Sequence, residues 1–188
     1  MPSTIVEKIF AHASGEKTVS SGDKVWADID LVAMRYGKLW CRVPEIMKII
    51  VSGKLKEFVT PKDVILRIIK HLGTDGLSYK AVKFEGDTIE NLGVDGRITL
   101  LSMVTEMDGR IGFIKPNKKV IDFLSKRSGG EIKPVESDED AEYLDVFELD
   151  VSSLEPQVAC PHSPDNVKNV REVEGTLVSQ VFIGSRTD

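Results

Sequence analysis

Residues 60–85 read TPKDVILRIIKHLGTDGLSYKAVKFE, and the apolar period changes within them. Thr60 is placed to cap a helix, Pro61 takes the first helical position and Asp63 closes a capping-box pattern. Val64, Ile65, Ile68, Ile69 and Leu72 then recur at helical spacing until Gly73 stops the run. His71 falls in the last turn, where the helix dipole favours a cation, and reads as a cap. From Tyr79 to Glu85 the pattern switches to strict alternation, the mark of a half-buried strand. A capped helix feeding a strand predicts an α/β unit.

The same alternation of element types extends outward. Downstream, residues 88–107 read as a helix interrupted near Gly93 to Gly96. A short strand follows at Ile111 to Ile114. Asn117 caps a helix running through Leu124, ended by Ser128-Gly129-Gly130. Strands are predicted at Tyr143 to Val151 and Gln180 to Gly184, and the Pro-rich ACPHSPDN at 159–166 reads as irregular. Upstream, residues 3–14 form a short helix capped by Ser3 or Thr4 and closed by Gly15, with His12 near its end as a further cap. Lys24 to Ala33 and Lys38 to Val43 read as strands. VPEIMKIIVSGKL, from Val43, is a strand or a short helix, and its β-branched content favours the strand. The fold class is therefore α/β, with largely parallel sheets flanked by helices.

The chain has 188 residues, 41% of them hydrophobic and 29% charged, which excludes wholesale disorder. No apolar run approaches the ~20 residues of a membrane span, and no signal peptide is recognisable at the start. The expectation is a cytoplasmic protein. Thirty acids oppose 25 bases, for a net charge of −5. The excess is local, because residues 136–155 carry nine acids and no Lys or Arg. The remainder is only mildly basic, which argues against a nucleic-acid partner. Two cysteines, Cys41 and Cys160, make neither a disulfide framework nor a zinc motif.

Motif chemistry is sparse. The chain holds no P-loop, GxGxxG, HExxH, CxxC or GxSxG pattern. Its three histidines are scattered. Glu106 lies one helical turn beyond Ser102, and Met103 and Met107 share a helical spacing that means core more often than cofactor.

Several segments taken together resemble the aconitase family, and within it the large subunits of the 3-isopropylmalate dehydratases. They are TIVEKIFAHASG with KVWADIDLVAM, then GKLWCRVPEIMKIIVSGKL, then TPKDVILRIIKHLGTDGLSYKAVKFEGDTIENL with DGRITLLSM. The most specific is PQVACPHSPDNV followed by QVFIGS. The resemblance implies a hydro-lyase of leucine biosynthesis that interconverts 2- and 3-isopropylmalate, or the related homoaconitase chemistry. It implies a [4Fe-4S] cluster held by three cysteines and a separate small subunit that completes the site.

Departures from the family pattern limit what is expected of this chain. DLVAM runs through Arg35 and Tyr36 straight into GKLW, where the family has a long stretch with substrate-contacting motifs. The chain is therefore expected to be internally deleted and C-terminally truncated. Arg186 stands where the resemblance places a cluster cysteine, and the other two ligand positions have no counterpart. Cys160 and Cys41 match family segments that do not hold iron, so no metal ligand and no cofactor is expected here. Ser102 occupies a family asparagine position, and Glu106 keeps a family active-site glutamate. These two are the candidate catalytic residues.

The expected organisation is a remnant helix and strand at 1–36, an α/β core unit at 37–128, an acidic linker at 129–142, and a second lobe or completion of the sheet at 143–188. The chain alone is expected to be catalytically inactive. The alternative is a non-catalytic partner-binding or regulatory α/β module. Expected partners are a dehydratase small subunit and a second copy of the chain, with no membrane.

Overall fold

A computed structural model describes residues 2–28, 38–128 and 132–184. Helix α1 (Ile5–Ser14) begins at Thr4, whose hydroxyl accepts from Glu7 N while the Glu7 carboxylate accepts from Thr4 N, and it ends on left-handed Gly15. Strands β1 (Lys24–Asp28) and β2 (Lys38–Arg42) pair antiparallel as a two-stranded ribbon. The remainder of the strand expected up to Ala33, with the junction around Arg35, lies outside the described residues.

The central element is β3 (Ile46–Ser52). Helix α2 (Pro61–Leu72) returns to β4 (Ala81–Glu85), which pairs parallel with β3. The chain then makes α3 (Asp87–Asn91), α4 (Val94–Ser102) and a 3₁₀ turn at Met103–Met107 before β5 (Ile111–Ile114) adds parallel to β4. Helix α5 (Lys118–Ser128) precedes β6 (Asp145–Asp150), which crosses to the far side of β3 and pairs parallel with it. The resulting sheet has the order β5-β4-β3-β6. A short antiparallel hairpin, β7 (Gln157–Ala159) and β8 (Val167–Asn169), packs beyond it. This is an α/β fold with one parallel sheet and two small antiparallel ribbons.

Alternation sorts each strand of the parallel sheet into two faces. On the first, Met47, Ile49, Val51, Val82 and Phe84 meet Val64, Ile65, Ile68 and Ile69 of α2. Ile89, Leu100, Val104 and Met107 complete this core, with Leu154 and Val167 from the hairpin region. On the second face, Ile46, Ala81, Ile111 and Phe113 meet Ile5 and Val6 of α1. Lys48, Lys83 and Glu85 share that face, as the register Lys48↔Lys83 and Ile50↔Glu85 requires. The turn after β4 needs Gly86: its φ is +110°, and a Cβ there would stand 2.1 Å from the Val51 carbonyl oxygen.

Several expectations are corrected. Residues 180–184 form no strand, and Val181, Phe182 and Ile183 are exposed. Alternating apolar residues become a strand only where a neighbour supplies backbone partners, and among the described residues no strand pairs with this segment. The Pro-rich stretch expected to be irregular is so from Cys160 to Asn166, and only Ala159 at its edge joins a strand, as its flanks pair as β7 and β8. The helix after Asn117 runs on to Ser128, past Leu124. The expected helix over 88–107 divides at Gly93, as its glycines implied, and its last turn tightens to 3₁₀. Among the described residues no helix is long and apolar enough to cross a membrane.

Candidate functional site

Ser102 and Glu106 sit where α4 gives way to the 3₁₀ turn. That turn leads into β5, and Leu77 N, ahead of β4, donates to Met107 O at 2.9 Å. The pair therefore lies at the amino-terminal ends of the parallel strands. Val104 and Met107 point inward and anchor the turn, which leaves Ser102 and Glu106 exposed. The Ser102 hydroxyl donates to Thr99 O at 3.0 Å, bonding back to its own helix. The chain thus brings the two candidate residues to one corner. That corner is one open wall, and four cavities of the described residues are lined by other side chains.

Open α/β sheets more often bind ligands beyond the carboxyl ends of the strands, where the strand order reverses. Here that point lies between β3 and β6, and the protein's own groups fill it. Asp87 Oδ1 accepts from Gly53 N at 3.1 Å and Thr88 N at 2.9 Å. The Thr88 hydroxyl donates to Gly53 O at 2.6 Å, and Asp150 Oδ1 accepts from Ser152 N at 2.8 Å. The switch point is acidic and internally satisfied.

The densest charge cluster lies on the second face of the sheet, and reading the residues one by one missed it. Lys83 Nζ stands 2.5 Å from Glu85 Oε1 and donates to the Tyr143 hydroxyl at 3.2 Å. Lys48 Nζ lies 3.5 Å from Glu85 Oε2 and 4.0 Å from the centre of the Tyr143 ring. Burial works against the Glu85 carboxylate, but the hydrogen bond and charge of Lys83, with Lys48 behind it, hold its pKa below the usual range. Burial likewise opposes the Lys83 ammonium, and Glu85 and Tyr143 outweigh it, so its pKa is raised. The cluster floors a cavity of about 340 Å³ closed by residues 135–139. Two lysines sharing one carboxylate and one ring form a structural knot, since each ammonium already has partners.

The cysteines occupy different ribbons, Cys41 on β2 and Cys160 just past β7. Burial pushes the Cys41 thiol pKa up, away from the thiolate that binds iron. Among the described residues no three His, Cys, Asp or Glu side chains are grouped to hold a metal ion. The donors the described residues offer do not fit an iron–sulfur cluster. Arg186 lies outside the described residues.

Comparison with known proteins gives a consistent family. The model of the aconitase family (aconitate hydratase) matches residues 29–182. Over 152 residues the chain is 50% identical to a probable 3-isopropylmalate dehydratase large subunit of Methanothermobacter thermautotrophicus, covering 81% of this chain and 36% of that protein. A probable methanogen homoaconitase large subunit of the same organism is 47% identical over the same length and coverage. The 3-isopropylmalate dehydratase large subunit 1 of Methanopyrus kandleri is 46% identical, again covering 81% and 36%. The chain thus spans little more than a third of the length of these relatives.

Proposed function

Because the chain belongs to the aconitase family, we propose that it is one α/β unit of a hydro-lyase large subunit of the 3-isopropylmalate dehydratase or homoaconitase kind. Its contribution to the reaction is Glu106. A carboxylate held on a rigid turn can take a proton from a substrate carbon and return it, the acid–base half of removing and re-adding water. Ser102, one turn away, offers a hydroxyl to a polar substrate group once it releases Thr99 O. A small subunit is the natural partner to close the corner these residues leave open.

On this reading the 188-residue chain alone does not turn over isopropylmalate. The observation that carries it is the exposure of Glu106 and Ser102 at an open corner. Carboxylates that work as acids or bases do so in enclosed, water-poor sites that tune them. Anaerobic reconstitution with iron and sulfide, followed by metal counts per chain and a dehydration assay on 2-isopropylmalate, tests it. The expected result is no stoichiometric cluster and no turnover. A full cluster with turnover by the chain alone would overturn it.

One observation favours a second reading, a non-catalytic partner-binding module. Helix α5 carries an apolar stripe that joins neither core.

A further inference from the structure

Helix α5 is amphipathic but poorly used. Val120, Ile121 and Leu124 fall on one side, with Phe123 at its border, yet none belongs to either apolar core. Phe123 and Leu124 are exposed. The rest of the helix is basic: Lys118, Lys119, Lys126 and Arg127 against Asp122 alone.

The chain must cross from β5, at one edge of the sheet, to β6, at the other. In parallel sheets the crossover helix normally lies on the sheet face it spans. Here α1 and residues 136–138 take the amino-terminal part of that face. Ile5 N donates to the Ser137 hydroxyl at 3.0 Å, Ser3 N donates to Asp138 Oδ2 at 2.8 Å, and Lys8 pairs with Asp138.

The part along β6 stays open. Leu144 and Val146 are 49% and 48% exposed. Half-buried Ile50 lies beside them, in register with Glu148. Glu148 and Asp150 project from the same face. The β6 residues of this strip are apolar or acidic, and its neighbour Lys48, in register with Val146, is engaged by Glu85 and the Tyr143 ring, so the strip complements α5 in both respects. Lengths also match: an 11-residue helix spans about 16 Å and a six-residue strand about 20 Å, for elements of those sizes.

We propose that α5 of one copy seats on the open β6 strip of a second copy, reciprocally, to form a twofold dimer. Leu124, Ile121 and Val120 cover Val146, Leu144 and Ile50, and the helix bases face Glu148 and Asp150. Every chain carries both halves of the contact, so the pairing closes with two copies.

Sedimentation velocity and light scattering of the full chain across a concentration series test this. The wild-type chain gives a concentration-dependent dimer. Leu124→Glu weakens it by at least about tenfold, because the contact loses apolar burial and gains a carboxylate facing acids. Lys126→Glu and Glu148→Lys each weaken it, and combining them restores most of the loss. Circular dichroism confirms that each variant is folded, as expected for substitutions at exposed positions. In a Cys41→Ser, Cys160→Ser background, cysteines at 121 and 146 cross-link two differently tagged chains. A monomer at every concentration overturns the proposal, as does a dimer indifferent to Leu124→Glu. A cross-link formed only within one chain also overturns it, by showing that the helix covers its own sheet.

Discussion

Arg97 offers the sharpest test of how this unit holds together. It sits within DGRITLL, a stretch that resembles a family motif, yet its guanidinium is turned inward and the residue is 4% exposed. Nη1 donates to Lys115 O at 2.6 Å, Nη2 to Ile89 O at 3.0 Å and Nε to Leu92 O at 3.3 Å. One side chain thus joins the end of α3, the start of α4 and the residue after β5. Burial lowers its pKa, and the Glu90 carboxylate at 3.7 Å only partly offsets this. Arg97→Met keeps the length and removes the donors. Ile89 O keeps a second donor in Leu92 N at 3.2 Å, so the main losses fall on Leu92 O and Lys115 O. A carbonyl stripped of its partner costs about 1–3 kcal/mol. Relief from burying a charge returns part of that, which leaves a net loss of about 2–4 kcal/mol. For a chain of this size that corresponds to roughly 5–15 °C in Tm. Urea unfolding followed by circular dichroism measures it, with unchanged m-values confirming a common unfolded state. Arg97→Lys should recover less than half, because one ammonium cannot replace a three-donor fork. A loss under about 1 kcal/mol for the Met variant, or full recovery with Lys, would refute the reasoning.

Three further outcomes follow from the same structure. Gly86→Ala forces a Cβ against the Val51 carbonyl at a φ of +110° and should cost at least about 3 kcal/mol in urea unfolding. Gly93→Ala meets nothing within 4 Å and should be close to neutral. Asp63→Ala removes the acceptor for Thr60 N and for Gln157 N, which bonds to it at 2.6 Å. It should cost about 2–3 kcal/mol and loosen the hairpin, seen as faster amide exchange at 157–159. Stability should also fall at both ends of the pH scale. The Glu85 carboxyl lies below its ordinary value, so its contribution is complete above that value and is lost as pH drops through the folded one. The Lys83 ammonium lies above its ordinary value, so its contribution is complete below that value and is lost as pH rises through the folded one. A Glu85→Gln chain should show a flatter acid limb in a urea-midpoint titration; an unchanged limb would assign acid sensitivity elsewhere.

What the sequence reveals here depends on how local the cause is. Helix α2 was legible down to its cap, because Thr60, Pro61 and Asp63 act within one turn. The break at Gly93 was legible for the same reason. The exposed alternation at 180–184 misled, since a strand is completed by a neighbour that its own residues do not specify. The three-residue strands of the hairpin were hidden by prolines and held by tertiary partners such as Asp63. At the candidate site, Ser102 and Glu106 were singled out through family resemblance and helical spacing, and the fold sets both, exposed, where α4 passes into the 3₁₀ turn. Nothing local could show that they stand on an open wall. The Lys48–Lys83–Glu85–Tyr143 knot was invisible because it depends on the register of two parallel strands and on a tyrosine some 60 residues away, as the Lys83–Tyr143 bond records.

The order of the sheet also sets a timetable for the chain on the ribosome. β3, β4 and β5 are neighbours in space and follow one another in sequence, so three strands can assemble as soon as β5 emerges. The fourth pairs with β3 across the interval from Ser52 to Asp145. At synthesis rates of about 5–20 residues per second, an interval of roughly 100 residues leaves one flank of β3 unpaired for about 5–20 s. Through that window the backbone groups that later meet β6, such as the Ile46 and Ser52 carbonyls, stay free along that flank, and binding by chaperones that capture extended segments should be strongest there. Once β6 docks, that vulnerability ends.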